Sequence, residues 1–332
     1  MINFFKDLIN FIRIQKKVNQ KKICFFNESE FTFQYLQPYI RRKLDRKNIL
    51  IISFCDIKIE KKNLEIIILK TNFFRELYFL TSKNRIIYSS TPDLNNNIFR
   101  TSKVQKNRYI YLQHSSVGLI KAYNKKAFIY FDAIQVTNKF QYEDVNYINN
   151  VYNTKIKKFK STYRIFKKLN SKLNNEIKCD VLIAPTWSTN FYNEEFYEMI
   201  KKLKKFNFKV LLRPHPMSLK KKELNINLIN EIGIEIDKSN FPNLQQVRNL
   251  ISDHSGIFIE FMMTKKRKPI LINIEEKDLN KKNENRITFE RYLRDNYSVQ
   301  TSFKEMTNND FSVLKLTDEM SLSKTNFLDN FY

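Results

Sequence analysis

Apolar and polar positions change period several times along this chain. In the second half, CDVLIAP (179–185) reads as a strand, and residues 194–205 follow with Phe196, Ile200 and Leu203 at helical spacing. KVLLRP (209–214) reads as the next strand, with a helix extending through Leu228. Leu244, Val247 and Leu250 fit a helix that runs into a short strand ending at 251–252. Residues 256–264 read as a helix, and KPILIN (268–273) as a strand. Strands and helices that alternate in this way predict a parallel sheet covered by helices on both faces.

The first half is less regular. Apolar, β-branched runs at 49–54, 65–69, 85–88 and 109–112 read as strands, with a helix over 73–80. Two further strand-like runs, 127–131 and 134–137, come after Gly118 and a short helical stretch. Residues 143–175 are polar, rich in Lys and Asn and studded with Tyr. A structureless loop of that length would be unusual in a compact protein, so the segment is predicted to be helical and to join two domains. The expected division is an N-terminal α/β domain (1–160), a C-terminal α/β domain (161–300) and a helical tail (301–332).

Composition narrows the class. The 332 residues are 42% hydrophobic and 28% charged, enough apolar material for globular cores. Lys and Arg outnumber acids 59 to 34, a formal charge of +25. The richness in Lys, Asn, Ile and Phe has the look of a genome-wide codon bias, so part of that charge is background. The rest predicts attraction to a polyanion: nucleic acid, anionic lipid or a phosphate-rich polymer. Basic residues spread over the whole length, rather than gathered with stacking aromatics, argue against a nucleic-acid-binding protein. Cys24, Cys55 and Cys179 lie far apart without metal-ligand or disulfide-framework spacing, as in a reduced, intracellular protein. No uninterrupted apolar run reaches the roughly 20 residues of a membrane span. The N-terminus is broken by Lys6, Asp7 and Arg13, unlike a secretory signal. Its Phe5, Leu8, Ile9 and Ile12 share a helical face, with Lys16 and Lys17 following. Either an interfacial membrane helix or a helix packed on its own domain has that pattern.

Ligands of open parallel sheets bind beyond the carboxyl ends of the strands, and four unusual clusters fall there. They are Gln113–Gly118, containing His114, then Pro185-Thr186-Trp187, Arg213-Pro214-His215-Pro216 and Ser252-Asp253-His254-Ser255-Gly256. All 3 histidines and two of the 3 glycines of the chain are inside them. The Ser252–Gly256 run opens a helix after a strand, where free N–H groups and hydroxyls suit an anion; an ordinary N-cap has the same residues. Glu260, farther along that helix, could accept from ribose hydroxyls or simply be solvated. Prolines stiffen the chain around Arg213 and His215, whose side chains suit a diphosphate; a stiff turn with a paired Arg is the plainer alternative. His114 is a candidate general base for an acceptor hydroxyl, although a strand-end His is also a common structural residue. Trp187 reads as core or cleft wall. Phosphate-loop, GxGxxG, HExxH and GxSxG motifs are absent.

At these residues the chain resembles the CDP-glycerol glycerophosphotransferase family of teichoic-acid and capsule synthesis. The likeness rests on His114 with Gly118 behind a strand, Ala184-Pro185-Thr186-Trp187, Arg213-Pro214-His215-Pro216, and Ser252-Asp253-x-Ser255-Gly256 with Glu260. They occur in order between about residues 109 and 273. It implies a GT-B-like α/β fold, two Rossmann-type domains facing across a cleft, and a transferase that moves glycerol phosphate or a similar polyol phosphate. The donor would be CDP-linked and the acceptor a lipid-linked or growing surface glycan. By the same resemblance, donor pyrophosphate binds near Arg213, His215, Ser252, Ser255, Gly256 and Glu260, with Gly118, Thr186 and Trp187 lining the cleft. His114 is then the catalytic base, and His215 acts in catalysis as well as binding. It further implies no cofactor and no metal, no nucleic-acid partner, and a cytoplasmic protein peripheral on an anionic membrane face. The chain departs from the family where His114-Ser115 replaces His-Gly and Asp253-His254-Ser255-Gly256 replaces Asp-Tyr-Ser-Ser. Ser-Gly there is also similar to UDP-sugar transferases and UDP-N-acetylglucosamine 2-epimerases, so a UDP-sugar-dependent enzyme is the alternative.

Overall fold

The structure is a computed structural model that describes residues 2–17, 23–43, 49–57, 64–94, 106–120, 123–124, 126–161, 176–187, 190–239, 242–265, 267–274 and 287–319. The chain divides into two compact units: Met1–Ser115 with Leu119–Ile165, and Ser116–Gly118 with Phe166–Tyr332.

The first unit contains α1 (Ile2–Lys17), β1 (Ile23–Asn27), α2 (Glu30–Lys43), β2 (Ile49–Ser53), β3 (Glu65–Ile68), α3 (Asn72–Thr81), β4 (Ile86–Ser89), β5 (Arg108–Tyr111), β6 (Ala133–Val136), α4 (Lys139–Tyr152) and β7 (Lys157–Lys160). All seven strands are parallel, in the order β3-β2-β1-β4-β5-β6-β7. Side chains alternate across the pleat. Cys24 and Phe26 of β1 pack with Phe74, Tyr78 and Phe79 of α3 and with Ile14 of α1. Phe25, between them, packs with Phe33, Leu36 and Ile40 of α2. Both faces are thus covered, as parallel sheets require.

Several expectations for this unit need correction. β1 and α2 were not foreseen, although β1 is a central strand of the sheet. ICFFN runs on into the aromatic positions of α2, and Pro38 sits inside that helix, so neither the boundary nor the period stands out. The strand expected at 127–131 is a run of turns, with Ala127, Phe128 and Phe131 buried beneath it. A short apolar run does not by itself distinguish a strand from a turn of helix. In the polar segment at 143–175, residues up to Tyr152 are helical as expected, but 157–160 form the sheet's Lys-rich edge strand, a composition that discourages edge pairing. Residues 162–175 lie outside the described residues.

The face expected on α1 also divides. Asp7 and Ile14 are buried and Leu8 and Phe11 pack against the core, whereas Phe5 and Ile9 are 58% and 65% exposed. Asp7 is buried because its carboxylate accepts from the N–H and hydroxyl of Thr71, at 2.6 and 2.8 Å, capping the start of α3. The side chains of Lys16 and Lys17 lie outside the described residues.

The second unit contains β8 (Cys179–Ile183), α5 (Glu194–Lys205), β9 (Val210–Leu212), α6 (Pro216–Lys220), α7 (Ile226–Ile232), β10 (Glu235–Ile236), β11 (Val247–Ser252), α8 (Ile257–Lys265), β12 (Ile270–Ile272), α9 (Phe289–Tyr297), β13 (Val299–Thr301), α10 (Phe303–Asn308) and α11 (Ser312–Glu319). Its six parallel strands are ordered β10-β9-β8-β11-β12-β13. α5 matches its predicted span: Asn193 caps it, and Phe196, Met199, Ile200 and Leu203 are buried. The helix expected from Leu244 to Leu250 is instead a 3-10 turn at 244–246 followed by strand. β11 lies between β8 and β12, and its near-continuous apolar sequence imitates helical spacing. The C-terminal residues are no separate tail. β13 completes the sheet, and Phe303, Met306, Phe311 and Leu314 join this unit's core; 320–332 lie outside the described residues.

In both units strand order reverses beside the first strand, between β1 and β4 and between β8 and β11. A crevice opens at such a switch point, beyond the carboxyl ends of the strands.

Candidate active site

Three of the four sequence clusters gather at the switch point of the second unit. Pro185–Trp187 leaves β8, Arg213–Pro216 leaves the neighbouring β9, and Ser252–Gly256 leaves β11. The fully buried Ser252 hydroxyl donates to the Ala184 carbonyl at 2.7 Å. The Asp253 Oδ1 accepts from the N–H of Thr186 at 2.8 Å and of Ser255 at 3.0 Å. Burial raises the pKa of Asp253, against the pull of those two N–H groups. Ser252 is therefore a tie between strand ends rather than a ligand-facing hydroxyl, because its oxygen is sealed and its proton is used. Asp253, which sequence reasoning read only as a cap, joins the two turns across the switch point.

Ser255 and Gly256 remain partly exposed at the N-terminal end of α8, with Glu260 in its first turn. His215 caps the short α6: its Nδ1 accepts from the Met217 N–H at 3.1 Å, and Pro216 supplies the first helical position. A neutral ring so engaged carries its proton on Nε2. Trp187 stacks against this ring with centroids 6.2 Å apart, and Lys221 Nζ lies 4.4 Å from the indole centroid. Arg213 is partly committed inside the unit. Its Nη1 donates to Asp237 at 2.7 Å and to the Ser239 carbonyl at 2.8 Å. Burial opposes ionisation of Asp237, but Ser239 and Arg213 bring its pKa below the usual value. His254 faces elsewhere: Arg294 Nη1 is 2.9 Å from its Nδ1, and Arg294 Nη2 donates to Asn273 at 2.7 Å.

In the first unit, His114 sits among three tyrosines. Its Nδ1 is 2.9 Å from the Tyr111 hydroxyl and its Nε2 is 3.3 Å from that of Tyr123. The Tyr35 ring stands edge-on to it at 6.0 Å. Burial pushes the His114 pKa down to about 4, opposed by a hydrogen bond with the Ser90 backbone. The ring is therefore neutral near pH 7, the form a general base needs. Gly118 belongs with the second unit, where its N–H donates to the Glu290 carboxylate.

The sequence did not flag the switch point of this first unit, because its central strand was missed. There Asn27 donates to the Ser53 hydroxyl at 3.0 Å, and the Thr91 hydroxyl donates to Glu28 at 2.9 Å. A short apolar run, Ile23–Phe26, closed by the polar Asn27 and Glu28, was the available signal.

Comparison with known proteins agrees with this architecture. Two structures of the wall teichoic acid polymerase TagF resemble the chain at 12% and 13% identity, with TM-scores of 0.61 and 0.58. They cover 100% and 96% of this chain and 93% and 91% of theirs. UDP-N-acetylglucosamine 2-epimerase from Rickettsia bellii resembles it at 14% identity and TM-score 0.55, covering 92% of this chain and 90% of its own. These likenesses show the fold, the two-domain α/β architecture of GT-B enzymes. No curated protein matches the sequence. The family model for CDP-glycerol:poly(glycerophosphate) glycerophosphotransferase matches residues 148–332, more than half of the chain and nearly all of the second unit. The chain belongs to that family, and is a glycerophosphotransferase that uses CDP-glycerol.

Proposed function

We propose that the second unit binds CDP-glycerol by its pyrophosphate and that His114 of the first unit deprotonates the acceptor hydroxyl. The observation that carries the donor half is the convergence of three turns at the β8/β11 switch point. There His215, held by the Met217 N–H, presents Nε2–H, and Ser255 and Gly256 open α8. N–H donors and a helix N-terminus suit a diphosphate. Arg213, two residues before His215, and Lys221, 4.4 Å from the Trp187 ring, add positive charge. Trp187 offers a flat wall, and Glu260 an acceptor for ribose hydroxyls. The reaction is proposed to need no resident metal or cofactor.

Support for the acceptor half is the neutral, positioned imidazole of His114. As base it takes the proton of the acceptor hydroxyl, whose oxygen attacks the glycerol-bearing phosphorus; the bond to CMP breaks and CMP leaves as the anion.

The acceptor is proposed to be lipid-linked, and the protein to dock peripherally on the cytoplasmic membrane face. No helix among the described residues is long and apolar enough to cross a membrane. α1, however, exposes Phe4, Phe5, Ile9 and Ile12 beside Phe73 of α3, with Lys6 and Arg13 also exposed. An exposed apolar stripe with basic residues suits an anionic leaflet.

Donor identity is tested by CMP release from CDP-glycerol in the presence of a glycerol-phosphate oligomer, beside CDP-ribitol and UDP-N-acetylglucosamine. Preference for CDP-glycerol is expected. Turnover of the UDP-sugar alone would refute the assignment.

A further inference from the structure

The chemistry proposed for the first unit uses the end of β5 and leaves the charge on the edge of the same sheet unexplained. Phe159 of β7 packs with Phe25 and Leu112 on one face of that sheet. Lys158 and Lys160, the residues flanking it, leave the opposite face. There the Lys158 and Lys160 Nζ atoms lie 3.9 and 6.0 Å from the centroid of Tyr142 in α4. The two ammonium groups are therefore within about 10 Å of each other, close enough to repel at ordinary salt. Neither forms an ion pair among the described residues: Lys158 donates to the Asn146 amide oxygen, and Lys160 is exposed. Lys139, which opens α4, is exposed with its Nζ 5.5 Å from the Phe140 centroid. Of the two acids between residues 139 and 160, Asp144 is buried and accepts from the Leu119 N–H, and Glu143 accepts from Asn146. Lysines on an edge strand discourage pairing with another sheet, but that does not require them to gather on one face.

Register places this cluster at the His114 end of the sheet. Tyr111 pairs with Ile134 and Ile134 with Lys158. The three side chains share a face, the one on which the Tyr111 hydroxyl meets His114. Lys160 is two residues farther along, level with residue 113 by the same register, and β7 is two strand spacings from β5, ~9.5 Å. The apolar stripe of α1 lies elsewhere. The Asn10 amide of α1 donates to the Ile68 carbonyl of β3 at 2.9 Å. β3 is the opposite edge of the sheet, six spacings or ~29 Å from β7. A membrane held by α1 therefore does not account for the lysines around Tyr142.

We propose that Lys139, Lys158 and Lys160, with the rings of Phe140 and Tyr142, hold the acceptor chain behind its reacting hydroxyl, and that this chain is a poly(glycerol phosphate). The inference rests on the proposed reaction with His114 as its base. A polymer with one phosphate per unit offers repeated negative charge to the ammonium groups, while its glycerol carbons pass over the aromatic rings. Lysine suits such a contact, being a flexible point charge that needs no fixed phosphate geometry. A surface of this kind reads length: each further phosphate within reach adds affinity, and the reacting end is unchanged.

The test is calorimetric titration of the full chain, without donor, by a long glycerol-phosphate polymer and by a glycerol-phosphate dimer. The polymer should bind the wild type more tightly, and its advantage should shrink as salt rises. Lys139→Gln, Lys158→Gln and Lys160→Gln together should weaken polymer binding by about 5-fold or more, each exposed charge pair being small on its own, and leave CDP-glycerol affinity unchanged. Lys139→Arg, Lys158→Arg and Lys160→Arg together keep the charge and should keep the polymer's advantage, which separates a role of charge from one in folding. Equal affinity of the wild type for dimer and polymer, wild-type polymer binding in the Gln variant, or an equal loss in the Arg variant would overturn the proposal. Lost binding to anionic vesicles with polymer affinity unchanged would overturn it in favour of a membrane contact. The reaction fails separately: no CMP release from CDP-glycerol would refute it, while the binding curves still decide the surface.

Discussion

The two units share a way of ordering strands but furnish the turns after those strands differently. In the second unit, Thr186, Asp253, Ser255 and His215 are tied through backbone N–H groups, leaving cationic and N–H donors at the rim. In the first, His114 is surrounded by the rings and hydroxyls of tyrosines, which strip water from it. Fixed dipoles and positive charge hold an anion, whereas desolvation keeps a base uncharged. On the proposed reading, the same scaffold supplies a phosphate cradle in one copy and proton chemistry in the other. The contrast shows in the titrating groups: against burial, Ser239 and Arg213 bring the pKa of Asp237 below its usual value, whereas burial takes that of His114 down to about 4.

Breaking the proton chemistry should have the largest effect. His114→Ala is expected to slow transfer by roughly 10²–10⁴-fold, read as initial CMP release at saturating CDP-glycerol and acceptor. A variant within a few-fold of wild type would place the base elsewhere.

Breaking the cradle's frame comes next. Asp253→Ala leaves the Thr186 and Ser255 N–H groups without their acceptor, at about 1–3 kcal/mol for each group left unmet. Asp253→Asn can keep an oxygen at Oδ1, which accepts both bonds, and should be much milder. Urea unfolding of the two variants checks the order; equal losses would mean that the charge, not the acceptor, matters.

The proposed membrane surface sharpens the contrast from outside, since α1 belongs to the first unit. Replacing Phe5 and Ile9 together by Ser should lower co-sedimentation with anionic vesicles by about 10-fold or more, as burying a large apolar side chain is worth ~1.5–3 kcal/mol. Binding should fade with salt, because each basic residue near the leaflet adds about 1 kcal/mol within a Debye length. Equal binding to neutral vesicles, or an unaffected double variant, would remove α1 from the interface.

The last effect is on pH. The folded His114 pKa is about 4, below its ordinary value of 6.5. Between those values the unfolded chain binds the proton and the folded one does not, so stability rises with pH across that window. The contribution is fully present above 6.5 and is lost as pH falls towards 4. Relative to His114→Gln, the wild type should therefore lose stability on acidification from 6.5 to 4. Parallel curves from denaturant unfolding at each pH would show that the ring titrates normally.

Legibility in the sequence follows the same division. β8, α5, β9 and α8 were readable because short strands and helices are separated there by prolines, glycine or asparagine caps. The anion-site clusters stood out because His, Gly and Trp are scarce in a chain drifting towards Lys and Asn. β1 was hidden because its aromatic residues continue into α2. The tying roles of Ser252 and Asp253, and the tyrosines around His114, depend on which strand ends become neighbours. That is a property of sheet order, and no local spacing reports it.

Calorimetric titration of CDP-glycerol into His215→Ala and His114→Ala tests the division of labour most directly. Losing the His215 contact should cost about 1.5–3 kcal/mol of donor binding, a roughly 10- to 150-fold weaker Kd, while His114→Ala should bind as the wild type does. Wild-type affinity in a folded His215→Ala, or a comparable loss in His114→Ala, would contradict it.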